Sequence, residues 1–563
     1  MRAHSVSEAP TRAMWLRRRR ALPALAMVAA LAAWYLTPWP ALALVWATVF
    51  AALSWRWPRM ALALAPLTFP FWYAPLHVTG RLAFPLSELT LAILALVAVG
   101  QLGMRLARLR SRRANRMARA YLARLGSPVA LGAALLLAGM TVGVLIARQP
   151  QPALRAWRWE IVEPLVYAAL VVWWLRGRWL WWTAWAFVAS GALVAALALA
   201  QVTFAHVTFA PLGAGGGLVP YPGWNGPDWR ATAIIYGSPN SAGAWMARAL
   251  PLALALMLWP RAAGRLERAL AALAVATLVI GMALTGSRGA WLGATAGVVV
   301  VVIGLLTVVW RGPHPAFGLA PFTRGGLVPL RGEGPGQPAS RGIGATSPTD
   351  RQPNSPLPVG EGLGVRSRAA TSMRLLAIVL AAALLYGASS IWLAPLVGLA
   401  GGTHGGSGEV RLLVWQAAQT MARDHPIVGV GPDQFLYCYD PRYTNHPYLI
   451  ASLNGHATAA AREPNLSHPH NLGLELWLSA GLAGLAGYIL ALIAAARRGW
   501  RAIGRGWRGA VAVGALGALA AGLAHGLVDS AYFQPDYALA FWWGVAALIA
   551  LGSPSPMRRG GRG

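Results

Sequence analysis

The feature that most constrains this chain is a series of long apolar segments separated by short polar ones. A membrane-spanning helix needs about 20 predominantly apolar residues, with a range of about 17–25, and fourteen segments approach that length. Hydrophobic residues make up 57% of the chain and charged residues only 12%, against roughly 25% charged residues in soluble domains. We therefore predict an all-α fold. It is a polytopic membrane helix bundle of about 12–14 transmembrane helices with a large, partly helical extracytoplasmic loop.

The apolar segments divide the chain into seven regions. A stretch rich in Pro, Gly, Ser and Arg interrupts them at 311–372 and lacks apolar periodicity, which is typical of disorder. The predicted spans are 21–37, 40–55, 60–76, 85–103, 128–147, 162–176, 178–200, 239–259, 266–284, 288–310, 373–394, 471–496, 507–528 and 536–552. The regions are a basic cytoplasmic N-terminus (1–20), the first part of the bundle (21–310), a disordered cytoplasmic insertion (311–372), one transmembrane helix (373–394), an extracytoplasmic catalytic loop (395–470), the C-terminal transmembrane helices (471–552) and a cytoplasmic tail (553–563).

The net charge of +31 comes entirely from arginine, because the sequence has no lysine. If the spans alternate in direction from a cytoplasmic N-terminus, one side collects 37 of the 48 Arg and 5 of the 17 acidic residues. Such an asymmetry is the positive-inside pattern of membrane proteins. The charge therefore indicates topology, with both termini cytoplasmic and some contact with lipid headgroups, and it does not indicate a nucleic-acid partner.

Cysteine and acidic residues limit the chemistry of the chain. The one cysteine, Cys438, excludes an intramolecular disulfide and a thiolate metal cluster. The outer side has no paired Asp-x-Asp motif, and His468-x-His470 is too closely spaced for the common helical zinc pair. We therefore expect neither a metal nor a cofactor.

The strongest candidate for catalysis is His470, at the predicted boundary between the outer loop and a membrane helix. Asn471 is a good N-cap, so a helix is predicted to start there. The positive end of the helix dipole disfavours a charged imidazole, and a neutral imidazole can act as a general base. A hydrogen-bonded structural histidine is the alternative. Gly481 and Gly484 are three residues apart and predict one helix face that packs closely on a neighbour.

Four arginines of the outer side are candidates for binding an anionic ligand. Arg288 lies between glycines in a predicted hairpin, Arg230 precedes the SPNSAG helix start, Arg248 lies inside that helix, and Arg411 begins an amphipathic segment. Taken singly, each could instead be an interfacial or surface charge, although an intramembrane arginine indicates function. Together they predict a clamp for a phosphate-bearing lipid, because guanidinium groups bind phosphate oxygens in a bidentate manner.

The remaining ionisable residues of the outer side have either two possible roles or a structural one. Asp529 lies at the outer end of a predicted helix, where it either orients a substrate hydroxyl or pairs with an arginine. The others are interpreted as structural residues (His525 and Asp536) or as solvated loop residues (His404, His446 and His456).

The order of these motifs resembles that of the O-antigen ligase and O-antigen polymerase superfamily of bacterial membrane proteins. RATAIIYGSPN is followed by TGSRGAWLG, then EVRLLVWQAA and HPIVGVGPDQF, and finally HPHN with nine residues before GLAG. The likeness extends from about residue 200 to residue 550. The insertion at 311–372 is not part of the pattern.

The resemblance implies a metal-independent, inverting glycosyltransferase of the inner membrane with its active site on the outer face. Its donor would be a glycan on undecaprenyl diphosphate, and its acceptor a glycolipid sugar in a ligase or another glycan in a polymerase. By the matching motifs, His470 would deprotonate the acceptor, with Asn471 beside it in the substrate site. Arg288 and Arg230 would hold the diphosphate, and Arg411 would support the donor or the loop. Arg248 and Asp529 match no family role, and we keep them as candidate substrate-binding residues.

Two other classes of function remain open. A transporter should have charged or broken helices near the bilayer midplane, whereas the unusual residues here cluster at the predicted outer surface. A flippase or polysaccharide-assembly scaffold without catalysis would not need His470.

Overall fold

A computed structural model describes residues 9–79, 82–108, 127–203, 230–310, 407–440, 443–445, 448, 467–504 and 506–552. The predicted insertion, the span at 373–394, the C-terminal tail, and much of the two large outer loops lie outside the described residues. The division of the chain into these regions therefore stays a prediction.

The described residues are almost entirely helical. Their sixteen α-helices are α1 (Ala9–Leu36), α2 (Pro40–Arg56), α3 (Pro58–Leu64), α4 (Leu86–Arg108), α5 (Pro128–Ile146), α6 (Pro150–Trp157), α7 (Glu163–Trp174), α8 (Trp179–Thr203), α9 (Pro239–Leu258), α10 (Arg265–Thr285), α11 (Arg288–Trp310), α12 (Ser407–Asp424), α13 (Phe435–Tyr439), α14 (Leu472–Arg501), α15 (Trp507–Gly526) and α16 (Pro535–Gly552). A 3-10 helix (Ala65–Trp72) and a π-turn (Arg158–Val162) extend two of them. One hairpin pairs β1 (Leu76–Thr79) antiparallel to β2 (Leu82–Phe84), with Leu76 opposite Phe84.

Nine helices within the described ranges are long and apolar enough to cross a membrane: α4, α5, α8, α9, α10, α11, α14, α15 and α16. Two shorter apolar helical segments, 21–36 and 40–56, precede them. The all-α polytopic bundle predicted from the sequence is confirmed. The most deeply buried are α9, α15 and α16, with 78–89% of their apolar windows inside the protein, so they form the core around which the other helices pack.

Two of the predicted spans do not correspond to one helix each, so these two predictions were wrong. The segment 60–76 is a seven-residue α-helix followed by the 3-10 helix, because Pro66 and Pro70 remove backbone donors and their rings clash with an α-helical turn. The segment 162–176 is only the last part of a longer helical run that starts at Pro150 and passes through the π-turn. The helix of the first predicted span also starts earlier, at Ala9 rather than at residue 21.

Polar contacts join segments that the sequence placed on the same side of the membrane. On the predicted outer side, the Gln434 side chain bonds both the backbone N–H and the carbonyl of Gln149, at 2.8 and 3.0 Å. On the predicted inner side, Trp259 Nε1 donates to the Gly504 carbonyl at 2.8 Å. These contacts agree with the alternation of the spans.

Helices α5 and α14 pack with their backbones in close contact. A Cβ atom added to Gly139 would overlap the Ala480 carbonyl oxygen, and one added to Gly487 would lie 2.6 Å from the Gly132 carbonyl oxygen. Small residues that allow such an approach are typical of membrane helix pairs. Gly484 lies 3.1 Å from the site of a Gly139 Cβ, so its predicted role in helix packing is confirmed.

Gly481 has a different role from the one predicted, because it breaks α14 rather than packing on a neighbouring helix. Its φ of 64° and ψ of −175° are non-helical and belong to a region that essentially only glycine adopts. The break is closed by the PIVGVG turn of the outer loop. Ile427 O accepts from Leu482 N at 3.0 Å, and Leu478 O accepts from Val430 N at 2.7 Å. The turn and the broken helix therefore fold as one unit.

We expect Gly481→Ala to destabilise the protein by about 2 kcal/mol or more, because an alanine there is strained by about 1–3 kcal/mol and its Cβ would overlap the Ile427 carbonyl oxygen. Thermal unfolding of detergent-purified protein measures the effect. Gly103→Ala is the matched control, since Gly103 lies in α4 with no atom within 4 Å of the added Cβ. Equal melting temperatures for the two variants would contradict the assigned strain.

Candidate functional site

His470 lies in the turn that leads into α14. Its φ is 51°, in the left-handed region that few non-glycine residues adopt and that is often found at functional sites. Asn471 is the N-cap: its Oδ1 accepts from Leu474 N at 3.0 Å, and its Nδ2 donates to the Leu527 carbonyl at 3.1 Å. Asn471 is fully buried. These bonds fix the start of α14, and the predicted substrate contact of Asn471 stays a prediction.

The imidazole of His470 pairs with Asp529, which follows α15. Nδ1 of His470 lies 2.9 Å from Asp529 Oδ1, and the histidine side chain is 31% exposed. Burial alone would raise the pKa of Asp529, but hydrogen bonds and charge from His470 and His525 outweigh it and hold the pKa well below its ordinary value. Within the described residues, the ion pairs of Asp529 are with these two histidines, and its predicted part in substrate binding stays a prediction.

His525 is the second imidazole at Asp529, although the sequence indicated only a structural role. Its Nε2 lies 3.5 Å from Asp529 Oδ2, and its side chain is only 3% exposed. A Cβ atom on Gly289 would lie 2.6 Å from His525 Cδ2 and 2.9 Å from Nε2. Gly289, immediately after Arg288, therefore allows His525 to approach α11 closely. The sequence signal for His525 is the spacing of four residues to Asp529 at a helix end.

Arg230 docks on the tip of the α10–α11 hairpin, which carries Arg288. Its Nε donates to the Thr285 carbonyl and its Nη2 to Asn240 Oδ1, both at 2.6 Å. Gly286 takes a left-handed conformation, with φ 58°, and a Cβ on it would lie 3.3 Å from Arg230 Nε. Arg288 is exposed at the start of α11. The two predicted clamp arginines are thus held by the same hairpin tip.

The outer-loop helix α12 contacts His470 from another direction. Trp415 is buried, and its Nε1 donates to the His470 carbonyl at 3.4 Å. Arg411 is half-buried and precedes Trp415 by four residues, so both lie on the same face of α12. The structure therefore places Arg411 one helical turn from a residue that holds the His470 backbone.

Arg248 is buried inside the bundle, and its predicted role in substrate binding stays a prediction. It is 4% exposed and donates to the Ala244 carbonyl at 2.8 Å and the Ala531 carbonyl at 2.5 Å. Its guanidinium carbon lies 4.1 Å from the centroid of the Tyr537 ring. Arg248 therefore supports, from below, the loop that carries Asp529. Asp536 is fully buried and accepts from Tyr236 Oη at 2.9 Å, which agrees with its predicted structural role.

These contacts form one connected assembly. It runs from Arg230 and the hairpin tip through Gly289 and His525 to Asp529, and from there to His470 and Trp415. Within the described residues, no group of three or more His, Cys, Asp or Glu side chains is arranged to hold a metal ion. His404, His446 and His456 lie outside those residues. The assembly therefore connects the His470–Asp529 pair to the hairpin that carries Arg288.

Comparison with known proteins supports the resemblance found in the sequence. Residues 362–489 match the family model described as O-Antigen ligase, which supports the O-antigen ligase superfamily. The matched residues include Arg411, Trp415 and His470. No curated protein matches the chain. The family match suggests a membrane protein that transfers glycans.

We expect diethyl pyrocarbonate to modify His470 much faster than His525, by about tenfold or more, because the two side chains are 31% and 3% exposed and the reagent needs an accessible unprotonated nitrogen. The absence of lysine leaves more reagent for histidine. Peptide mass spectrometry after brief labelling measures both sites. Comparable labelling in the intact protein would contradict the described burial of His525.

Proposed function

We propose that this protein is a membrane glycosyltransferase that moves a glycan from undecaprenyl diphosphate to an acceptor hydroxyl. The observation that carries the proposal is the 2.9 Å contact of His470 Nδ1 with Asp529 in a half-exposed turn. Nδ1 then donates its proton to the carboxylate, which leaves the Nε2 lone pair for a substrate. The match to the O-antigen ligase model over residues 362–489 supports the reaction class.

In the proposed reaction, His470 Nε2 takes the proton from the acceptor hydroxyl as its oxygen attacks the anomeric carbon. The bond from that carbon to the diphosphate oxygen breaks, and the configuration inverts. The lipid diphosphate leaves with the electron pair of the broken bond. Asp529 stabilises the imidazolium that forms, as a carboxylate does in other Asp–His pairs. The imidazolium then releases its proton to the solvent on the outer face.

The leaving diphosphate needs cationic partners, because its negative charge grows as the bond breaks. Arg288 at the exposed hairpin tip is the first candidate, and Arg230, docked on the same tip, is the second. Arg411 is a third, one turn from Trp415 on α12. A guanidinium fork suits phosphate oxygens and keeps its charge at any physiological pH. The proposed chemistry uses no metal and no cofactor.

One feature is typical of transporters, namely the break of α14 at Gly481. In transporters, such breaks expose backbone groups to a substrate or an ion. Here the neighbouring amide and carbonyl groups bond to the PIVGVG turn instead, at 2.7–3.0 Å. The break thus has an internal explanation, which favours the transferase. A scaffold without catalysis would not require the His470–Asp529 pair.

The direct experiment uses the purified full-length protein in lipid vesicles with a polyprenyl diphosphate-linked glycan. One reaction contains a glycolipid acceptor and a second contains only the lipid-linked glycan. Product on the glycolipid supports a ligase, and longer glycans on the carrier support a polymerase. Release of neither product would overturn the proposed function.

His470→Ala should abolish transfer, and Asp529→Asn should lower it by about 10²–10⁴-fold, the usual contribution of general acid–base catalysis. The amide cannot stabilise the imidazolium and can reverse the tautomer of His470. Initial rates in vesicles measure both effects. His425→Ala, at the exposed end of α12, is the control and should keep full activity. A folded His470→Ala protein with normal rates would remove the assigned base.

Arg288→Lys should lower transfer by about 10–100-fold, since one charge-assisted hydrogen bond contributes about 1.5–3 kcal/mol and a lysine cannot supply the planar fork. Arg423→Lys, in the exposed last turn of α12, is the matched control. Equal rates for Arg288→Lys and Arg423→Lys would exclude a bidentate contact from Arg288.

A further inference from the structure

A second ionisable cluster lies beside the base but takes no part in the proposed proton transfer. His468 Nδ1 forms an ion pair with Glu475 Oε1, across the turn that contains His470. The imidazole is 25% exposed and the Glu475 side chain only 5%. Glu475 lies in the first turn of α14, so the pair joins the residue two positions before the base to the helix that follows it.

Other charged groups approach His468 from the elements packed around it. Glu160 from the π-turn and Asp433 from the outer loop both interact with it electrostatically, in addition to Glu475. Arg155 of α6 lies 3.7 Å from Asp433 and reduces the negative charge on that side. The pocket around His468 therefore carries three carboxyl groups and one partly solvated guanidinium.

Two carboxyl groups of this cluster are deeply buried. Oε2 of Glu160 and Oε2 of Glu475 both have no hydrogen-bond partner. For Glu160, which lies in the π-turn, burial disfavours the ionised form and raises the pKa well above its ordinary value. Glu475 is the carboxyl group that pairs directly with His468, through Oε1.

The His468–Glu475 ion pair bridges a turn whose backbone is strained. Between His468 and Glu475 lie His470, with its left-handed φ of 51°, and the N-cap Asn471. The left-handed conformation is disfavoured for a histidine and persists only when its surroundings hold it. The carboxylate of Glu475, in the first turn, also interacts favourably with the positive end of the α14 dipole. Loss of the pair would release the turn that aims the His470 imidazole at Asp529.

We propose that His468 and Glu475 form a positioning pair that keeps the His470 turn in its active conformation only while His468 is protonated. This inference rests on the proposed function for its effect on transfer. It assigns the enzyme an upper pH limit that is separate from the titration of the base. His468 is a positioning residue, because it acts through the backbone of His470 and contacts no substrate.

The electrostatics give the direction of the pH dependence. Burial alone would lower the pKa of His468, but Glu475, Glu160 and Asp433 outweigh it and raise the pKa to about 9. The folded-state pKa thus lies above the unfolded value of about 6.5. The stabilising contribution is complete below that unfolded value, declines as the pH rises, and is lost as the pH passes about 9.

The test compares the pH dependence of transfer by the wild-type protein and by Glu475→Gln. Wild-type transfer should decline above about pH 9. Glu475→Gln lacks the ion pair at every pH, so its transfer should be at least tenfold slower than wild type at pH 7 and should show no alkaline decline of this kind. His468→Gln should be at least tenfold slower than wild type at pH 7 and show no such alkaline decline. Asp424→Asn, an exposed carboxylate of the outer loop, should leave the profile unchanged.

A second measurement does not require transfer. Diethyl pyrocarbonate attacks only unprotonated imidazole, so His468 should react at least tenfold faster at pH 7.5 in Glu475→Gln than in the wild type. The labelling of His470 should change in the same variant, because its turn is released. Folding of the variants is checked by gel filtration in detergent.

The outcomes separate this inference from the proposed function. Identical alkaline limits in wild type and Glu475→Gln, with active enzyme, would overturn the positioning pair and leave the transferase intact. Absence of transfer by the wild type would overturn the proposed function, and the labelling of His468 and His470 would then decide the pair by itself. Unchanged labelling of both histidines would overturn it.

Discussion

The partly buried carboxylate of Asp529, between two imidazoles, is the interaction on which the candidate site depends. Its partners come from different helices: His470 precedes α14, and His525 lies in the last turn of α15. His525 reaches this position because Gly289 of α11 has no side chain. Removing one partner from such a partly buried charged group is costly, since the remaining charge loses its compensation. One carboxylate therefore connects His470 at the start of α14 to α15 and, through His525, to the hairpin that carries Arg288.

Much of this arrangement could be predicted from the sequence, because it is encoded locally. Long apolar runs predict the spans, and α5, α11 and α14 begin within one residue of their predicted starts. Asn471 predicts the N-cap, and Gly286 with Ser287 predicts the hairpin that presents Arg288. The chemistry proposed for His470 and for the arginines rests on residue type and on their place at predicted membrane boundaries. These signals need no knowledge of which helices touch.

The sequence could not predict features that arise from contacts between distant segments. Gly481 and Gly484 have the same local pattern, yet one breaks the helix and the other packs on α5, because only Gly481 meets the PIVGVG turn. The hydrogen bond from Asn471 to the Leu527 carbonyl joins segments that are far apart in the sequence. The proline-rich segment 65–72 lies in an apolar run that is long enough for a predicted membrane span. Hydropathy does not reflect the backbone donors that its prolines lack.

The contacts of Arg248 beneath the candidate site explain why the core of the bundle contains an arginine at this position. A charge inside the bilayer region is expensive unless it is satisfied, and Arg248 satisfies two carbonyls and stacks on Tyr537. Its contact with Ala531 fixes the loop two residues after Asp529. Groups that stabilise a developing charge act best when they are already oriented before the reaction. The energetic cost of ordering Asp529 and His470 is therefore met during folding, and binding of a lipid-linked glycan does not have to supply it.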